Sequence, residues 1–151
     1  MKKIQTGLIG LGTVGLKRNS KNKKIINDTH FYNLLNNKNF NLLAVSDLKL
    51  NMQGITKNIK NLKYYKNYEK MLSSHFFNMI VIATPLKSHF KIIKYLQKYN
   101  IKFIFCEKPF LTNKQELNFL SLDKYKTKYQ INYSRRFISN LVKLKKFFNK
   151  K

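Results

Sequence analysis

The chain has 151 residues, 43% of them apolar, and a formal net charge of +25. That is enough apolar content for one packed domain and too much for a disordered chain. No apolar run reaches the ~20 residues that span a bilayer. Glycines interrupt the apolar stretch behind Met1-Lys2-Lys3, which argues against a secretory leader. The lone cysteine, Cys106, can form no internal disulfide, so a reducing cytoplasm is the expected compartment. The charge argues less for nucleic acid than its size suggests. The chain has 28 Lys but only 3 Arg, with Asn (19) and Ile (14) inflated and Ala (2) scarce. This is the imprint of A/T-rich codons on a solvated surface, and Arg is the residue that bidentate phosphate and base contacts need.

In chain order, Ile4 to Ile9 reads as a buried strand that ends in a glycine-rich turn. Residues 17–27, KRNSKNKKIIN, read as a polar loop insertion, after which Asp28 or Thr29 can cap a short helix through Leu35. Phe40 to Ser46 is a second strand ending at Asp47. A weak strand at Leu62–Tyr65 precedes a short helix, Tyr68 to Leu72, and Met79 to Ala83 is an apolar strand ending in Thr84-Pro85. Leu86, Phe90, Ile93 and Leu96 recur at helical spacing and predict a helix over 86–99. Ile101–Cys106 is the next strand, Lys114–Leu122 a helix and Lys128–Tyr133 the last strand. Phe137, Leu141, Leu144 and Phe148 mark a final amphipathic helix with lysines on its other face.

Continuous apolar strands alternating with helices predict an α/β domain of Rossmann-like type, a doubly wound and mostly parallel sheet covered on both faces. Ligands of such sheets bind at the carboxyl ends of the strands. Gly10, Asp47, Thr84 and Glu107 each fall at such an end. GLGTVG, residues 10–15, is a G-x-G-x-x-G turn behind a strand. Gly10 permits the tight turn, Gly12 lets backbone approach a pyrophosphate, and Gly15 allows close helix–strand packing. Asp47 at the next strand end can accept both ribose hydroxyls of an adenosine, which favours NAD; Lys49 nearby keeps NADP open. The interval from Gly15 to Asp47, 32 residues, exceeds the usual one, and the 17–27 insertion accounts for the excess. Pro85 suits the first turn of a helix, and His89 in that turn is placed to face the cleft. His30 and His75 make weaker candidates. No metal-ligand cluster is visible.

The ordered set Gly10-Leu-Gly-Thr-Val-Gly15, Ala44-Val-Ser-Asp47, Ile82-Ala-Thr-Pro85 with His89, Cys106-Glu-Lys-Pro109 and Tyr133-Ser-Arg-Arg-Phe137 resembles the N-terminal domain of the Gfo/Idh/MocA oxidoreductase family. The resemblance spans nearly the whole chain, and the EKP triplet is its most specific element. It implies dinucleotide-dependent hydride transfer at a secondary alcohol of a sugar, sugar nucleotide or cyclitol. By position, Gly10, Leu11, Gly12, Thr13 and Val14 would cradle the pyrophosphate and Asp47 would hold the adenosine ribose. Thr84, Pro85 and His89 would lie along the nicotinamide side. Glu107 would contact the nicotinamide ribose, Lys108 would reach the reacting hydroxyl, and Pro109 would fix the bend, through a cis bond if it follows the family. Arg135 or Arg136 would line the cleft. A lysine at a cleft edge can donate a hydrogen bond to a developing alkoxide and, once desolvated, trade protons with it.

Family members continue into a second α/β domain that builds the substrate pocket and usually the oligomer interface. The expected division is therefore a dinucleotide domain over 1–134 and a connecting helix over 135–151, with the substrate domain essentially absent. The expected partners are a dinucleotide and, once a second domain is supplied, a sugar-like substrate and further copies in a homo-oligomer. No specific nucleic acid and no membrane are expected. Two other readings remain: a non-catalytic dinucleotide-binding protein, and a basic binder of nucleic acid or of a membrane surface anchored by the final helix.

Overall fold

In the computed structural model the described residues are 2–16, 29–49, 59–120 and 126–134, together with 139, 145 and 147. Six strands form one parallel sheet: β1 (Ile4–Ile9), β2 (Phe40–Ser46), β3 (Lys63–Tyr65), β4 (Met79–Ile82), β5 (Phe103–Cys106) and β6 (Lys128–Ile131), in the order β3-β2-β1-β4-β5-β6. The helices are α1 (His30–Asn36), α2 (Tyr68–Ser74), α3 (Leu86–Leu96) and α4 (Lys114–Leu120).

The central strands are buried on both faces, which is why they read as unbroken apolar runs rather than alternating ones. Ile9, Ile80, Ile82, Ile104 and Cys106 pack with Met71 and Leu72 of α2 and with Ile92, Ile93 and Leu96 of α3. Leu8, Leu42, Val45 and Val81 pack with Phe31 and Leu34 of α1. Strand order reverses between β1 and β4, the switch point at which open α/β sheets take ligands.

Four expected strands contract by one or two residues, because strand pairing stops where partners end; α3 ends at Leu96 rather than residue 99, and α2 runs two residues past Leu72. Thr29 sits at the start of α1, but its side chain makes no cap hydrogen bond. The expected stripe on α3 is rotated: His89, Ile92, Ile93 and Leu96 are buried, whereas Phe90 is half-buried against Phe119. Asp28, Arg135, Arg136 and the apolar positions of the final helix (Phe137, Leu141, Leu144, Phe148) lie outside the described residues. No helix among the described residues is long and apolar enough to cross a membrane.

Candidate functional site

The glycine turn leaves β1 at Gly10, whose φ of +95° is a conformation that L side chains rarely adopt. A Cβ there would sit 2.6 Å from the Ala83 carbonyl oxygen, and one at Gly15 would collide with the Gly10 carbonyl. Gly12 is different, since a Cβ there meets nothing within 4 Å. Gly10 and Gly15 are therefore demanded by the fold, whereas Gly12 opens onto space that the fold leaves free.

Residues 13–16 behind the glycine turn form a further turn, and α1 begins at His30. The Leu16 N–H donates to the Gly12 carbonyl at 2.9 Å, the first bond of an α-helix. The carbonyls of Val14 and Gly15 accept from His30 (3.2 Å) and Phe31 (2.9 Å), where an uninterrupted helix would use residues 18 and 19. These bonds are offset by twelve residues from the register of an uninterrupted helix. Removing that offset shortens the Gly15-to-Asp47 interval from 32 residues to 20, the interval usual for the ribose-binding acid of a dinucleotide turn. His30, the first residue of α1, lies at the carboxyl edge of the sheet beside Glu107.

A cleft of about 710 Å³ opens at the switch point. Gly10, Leu11 and Gly12 form its floor, Asp47 and Lys49 one side, and Thr84 and Pro85 the other. Leu48, Tyr68 and Ile92 add an apolar wall beside Asp47, suited to a flat base. Asp47 does more than face the cleft. Its Oδ2 accepts the Leu11 N–H at 2.7 Å and its Oδ1 the Lys49 N–H at 2.8 Å, so the carboxylate braces the glycine turn against the end of β2. The Leu11 N–H is spent on this brace, and its side chain is buried. Thr13 and Val14 are exposed on the turn and lie outside the cleft wall. Opposite them, Ser88 Oγ donates to Thr84 Oγ1 (2.8 Å), and Lys87 and Lys91 bring positive charge to the rim.

The expectation that His89 faces the cleft is corrected. The ring is 1% exposed. Its Nε2 lies 2.7 Å from the Thr84 carbonyl and its Nδ1 2.9 Å from the Pro109 carbonyl. Its apolar surroundings on α3 and these carbonyls draw it inward, where it ties the end of β4 to the corner after β5.

That corner is Glu107-Lys108-Pro109, and the Lys108–Pro109 bond is cis. Lys108 and Pro109 are exposed, whereas the Glu107 side chain is only 12% exposed. His30 Nε2 lies 2.6 Å from Glu107 Oε1, and Asn132 Nδ2 donates to the same oxygen at 2.6 Å. Burial works to raise the Glu107 carboxyl. The hydrogen bonds from His30 and Asn132, the charge of His30 and the Lys108 N–H outweigh it and hold the group below the usual carboxylate value. Sequence reading ranked His30 low and passed over Asn132 and Ser88. Only subtraction of the insertion would have shown His30 following directly on the glycine turn.

A six-stranded parallel sheet with a glycine turn, a braced acid and an open cleft at its switch point defines a dinucleotide-binding domain of Rossmann type. The family described as "oxidoreductase family, NAD-binding Rossmann fold", Gfo/Idh/MocA, matches residues 4–131, and the chain belongs to it. Among solved structures, scyllo-inositol dehydrogenase from Lactobacillus casei, with NAD(H) and scyllo-inositol bound, superposes with a TM-score of 0.79 at 19% identity, covering 99% of this chain and 42% of that one. Myo-inositol 2-dehydrogenase from Lactobacillus plantarum gives 0.78 at 23% identity, again over 99% and 42%. An oxidoreductase from Agrobacterium radiobacter, in complex with NAD+, L-tartaric acid and magnesium, gives 0.77 at 15%, over 99% and 41%. At such identities the likeness shows the fold. The chain spans about two-fifths of the length of these neighbours. A comparison with curated protein sequences finds no significant match.

Proposed function

We propose that the chain is the dinucleotide-binding half of an oxidoreductase that moves a hydride at the secondary alcohol carbon of a sugar, sugar nucleotide or cyclitol, with NAD favoured over NADP. The observation that carries the reading is the arrangement along one sheet edge. Gly12 leaves room where a diphosphate would lie, Asp47 stands at the adenosine end, and Thr84, Pro85 and then Glu107-Lys108 follow toward the other end. Inositol dehydrogenases among the structural neighbours support a polyhydroxylated substrate.

In this reading the bound dinucleotide supplies the hydride acceptor or donor, and the chain's own residues bind, orient and move the proton. Gly10 and Gly12 admit the diphosphate against the backbone, which the open space at Gly12 supports. Asp47 accepts from the adenosine ribose and repels a 2′-phosphate, while Lys49 works the other way. Lys108 Nζ, as its neutral amine, would accept the proton of the alcohol oxygen while the carbon's hydrogen leaves with its electron pair as the hydride that the dinucleotide accepts, and would return the proton in the reverse direction. Residues beyond the Rossmann half are needed to hold the alcohol carbon in place, a positioning effect worth on the order of 7–11 kcal/mol at most.

Calorimetry with NAD(H) and NADP(H) on the 151-residue chain is the test. Wild type is expected to bind NADH, Gly12→Val to bind neither, and Asp47→Ala to bind weakly. No heat and no thermal shift at ~1 mM dinucleotide, well above ordinary cofactor affinities, would overturn the reading. Fused to a homologous second domain, the chain is expected to gain turnover. Lys108→Ala there should lose most of kcat and little NADH affinity; an unchanged kcat would mean that the triplet is only a structural corner.

A further inference from the structure

The dinucleotide reading gives Glu107 a ligand but leaves open why two side chains from separate elements converge on it. His30 arrives from α1, where the Val14 carbonyl holds its N–H and its ring packs edge-on to Phe105 with centroids 5.4 Å apart. Asn132 arrives from the end of β6, where its N–H donates to the Cys106 carbonyl at 2.8 Å. Both reach Oε1 of Glu107, each at 2.6 Å. Glu107 is itself pinned, its N–H donating to the Ile82 carbonyl at 2.9 Å. A carboxylate turns freely about its last torsion unless something holds it, and two donors on one oxygen hold it. The side chains of His30 and Glu107 are 14% and 12% exposed, so water competes weakly for these bonds.

We propose that His30 and Asn132 are positioning residues that lock the Glu107 carboxylate for the nicotinamide-side ribose of the dinucleotide, so that the start of α1 and the end of β6 tune the redox end of the site. The inference rests on the dinucleotide reading above. ADP reports the adenosine end alone and NADH reports both ends, so their comparison isolates the Glu107 end.

Calorimetric titrations of ADP and NADH are run on wild type, His30→Ala, His30→Gln, Asn132→Ala and Glu107→Gln, with thermal melts alongside. Wild type is expected to prefer NADH to ADP. His30→Ala and Asn132→Ala are each expected to shrink that preference by about tenfold while ADP affinity stays within about twofold of wild type. His30→Gln, whose amide nitrogen can still donate, is expected to recover part of the preference. If NADH and ADP weaken in parallel, the pair merely supports the fold and the inference is overturned. An unchanged NADH preference in His30→Ala and Asn132→Ala overturns it as well, as does a wild type that binds ADP and NADH equally. Should His30→Ala melt below the assay temperature, Asn132→Ala and His30→Gln decide between these outcomes. A folded wild type that binds neither ligand removes the dinucleotide reading and the inference with it.

Discussion

Cys106 and Glu107 are neighbours whose environments pull in opposite senses. Burial, and then the Glu107 charge, push the Cys106 thiol up to about 12, so it stays protonated and inert at neutral pH. Glu107 is largely buried too, yet its donors win and its carboxyl ends below the usual 4.5. Because the folded group holds its charge to lower pH than the unfolded one, the unfolded chain binds the extra proton. The stabilisation is fully present above pH 4.5 and is lost as the pH falls through the folded value. Glu107→Gln is therefore expected to flatten acid unfolding below pH 4.5 while lowering stability at pH 7. Urea melts at pH 7, 4.5 and 3 check this, and a variant with the wild-type acid slope would show that Glu107 is not held as described.

At the scale of elements, the glycine turn separates what the fold needs from what a ligand needs. Gly15→Ala drives a Cβ into the Gly10 carbonyl, and Gly10→Ala adds strain at φ +95°. Each is expected to lower stability by roughly 1–3 kcal/mol. Gly12→Ala meets no atom within 4 Å and is expected to melt as wild type does while binding dinucleotide poorly. Thermal melts beside NADH titration make the distinction. The twelve-residue offset yields a second expectation. Deleting residues 17–28 brings Thr29 and His30 to the seventeenth and eighteenth places, with the Val14-to-His30 bond in ordinary helical register. The shortened chain is expected to keep its melting temperature or gain slightly, since a closed loop costs entropy, and to keep ADP binding. A collapse of the circular-dichroism signal would show that the insertion is part of the helix's support.

At the scale of the molecule, the chain carries a charge of +25 and only six carboxylates, of which Asp47 lines the cleft and Glu107 follows β5. The lysines are spread along the chain, so they neutralise phosphates without reading bases. Weak, sequence-indifferent DNA binding is expected, falling steeply as salt rises from about 50 to 200 mM. Fluorescence anisotropy on two unrelated duplexes tests it, and tight selection of one duplex at the higher salt would show a dedicated polyanion surface.

What the sequence determined by itself was whatever depends on local pattern. Apolar runs with glycine, aspartate, Thr-Pro and EKP at their ends were enough to read six strands, their alternation with helices and the edge that bears the site. The cleft residues Gly10, Gly12, Asp47, Thr84 and Pro85 were legible for the same reason, because each ends a strand or opens a helix. Tertiary structure alone decided the rest, since it depends on contacts between residues far apart in the chain. His89 turned inward because three backbone carbonyls from two strand ends surround it, which no helical spacing records. Asp47 became a brace because the Leu11 N–H, 36 positions earlier, lies 2.7 Å away. His30 met Glu107 across 77 positions because backbone bonds to the Val14 and Gly15 carbonyls hold the start of α1 against the glycine turn, and Asn132 reached the same oxygen from the end of the last strand. A hydrogen bond requires atoms within about 3 Å of each other, and for these residues the packing of parallel strands, not the order of the chain, supplies that distance.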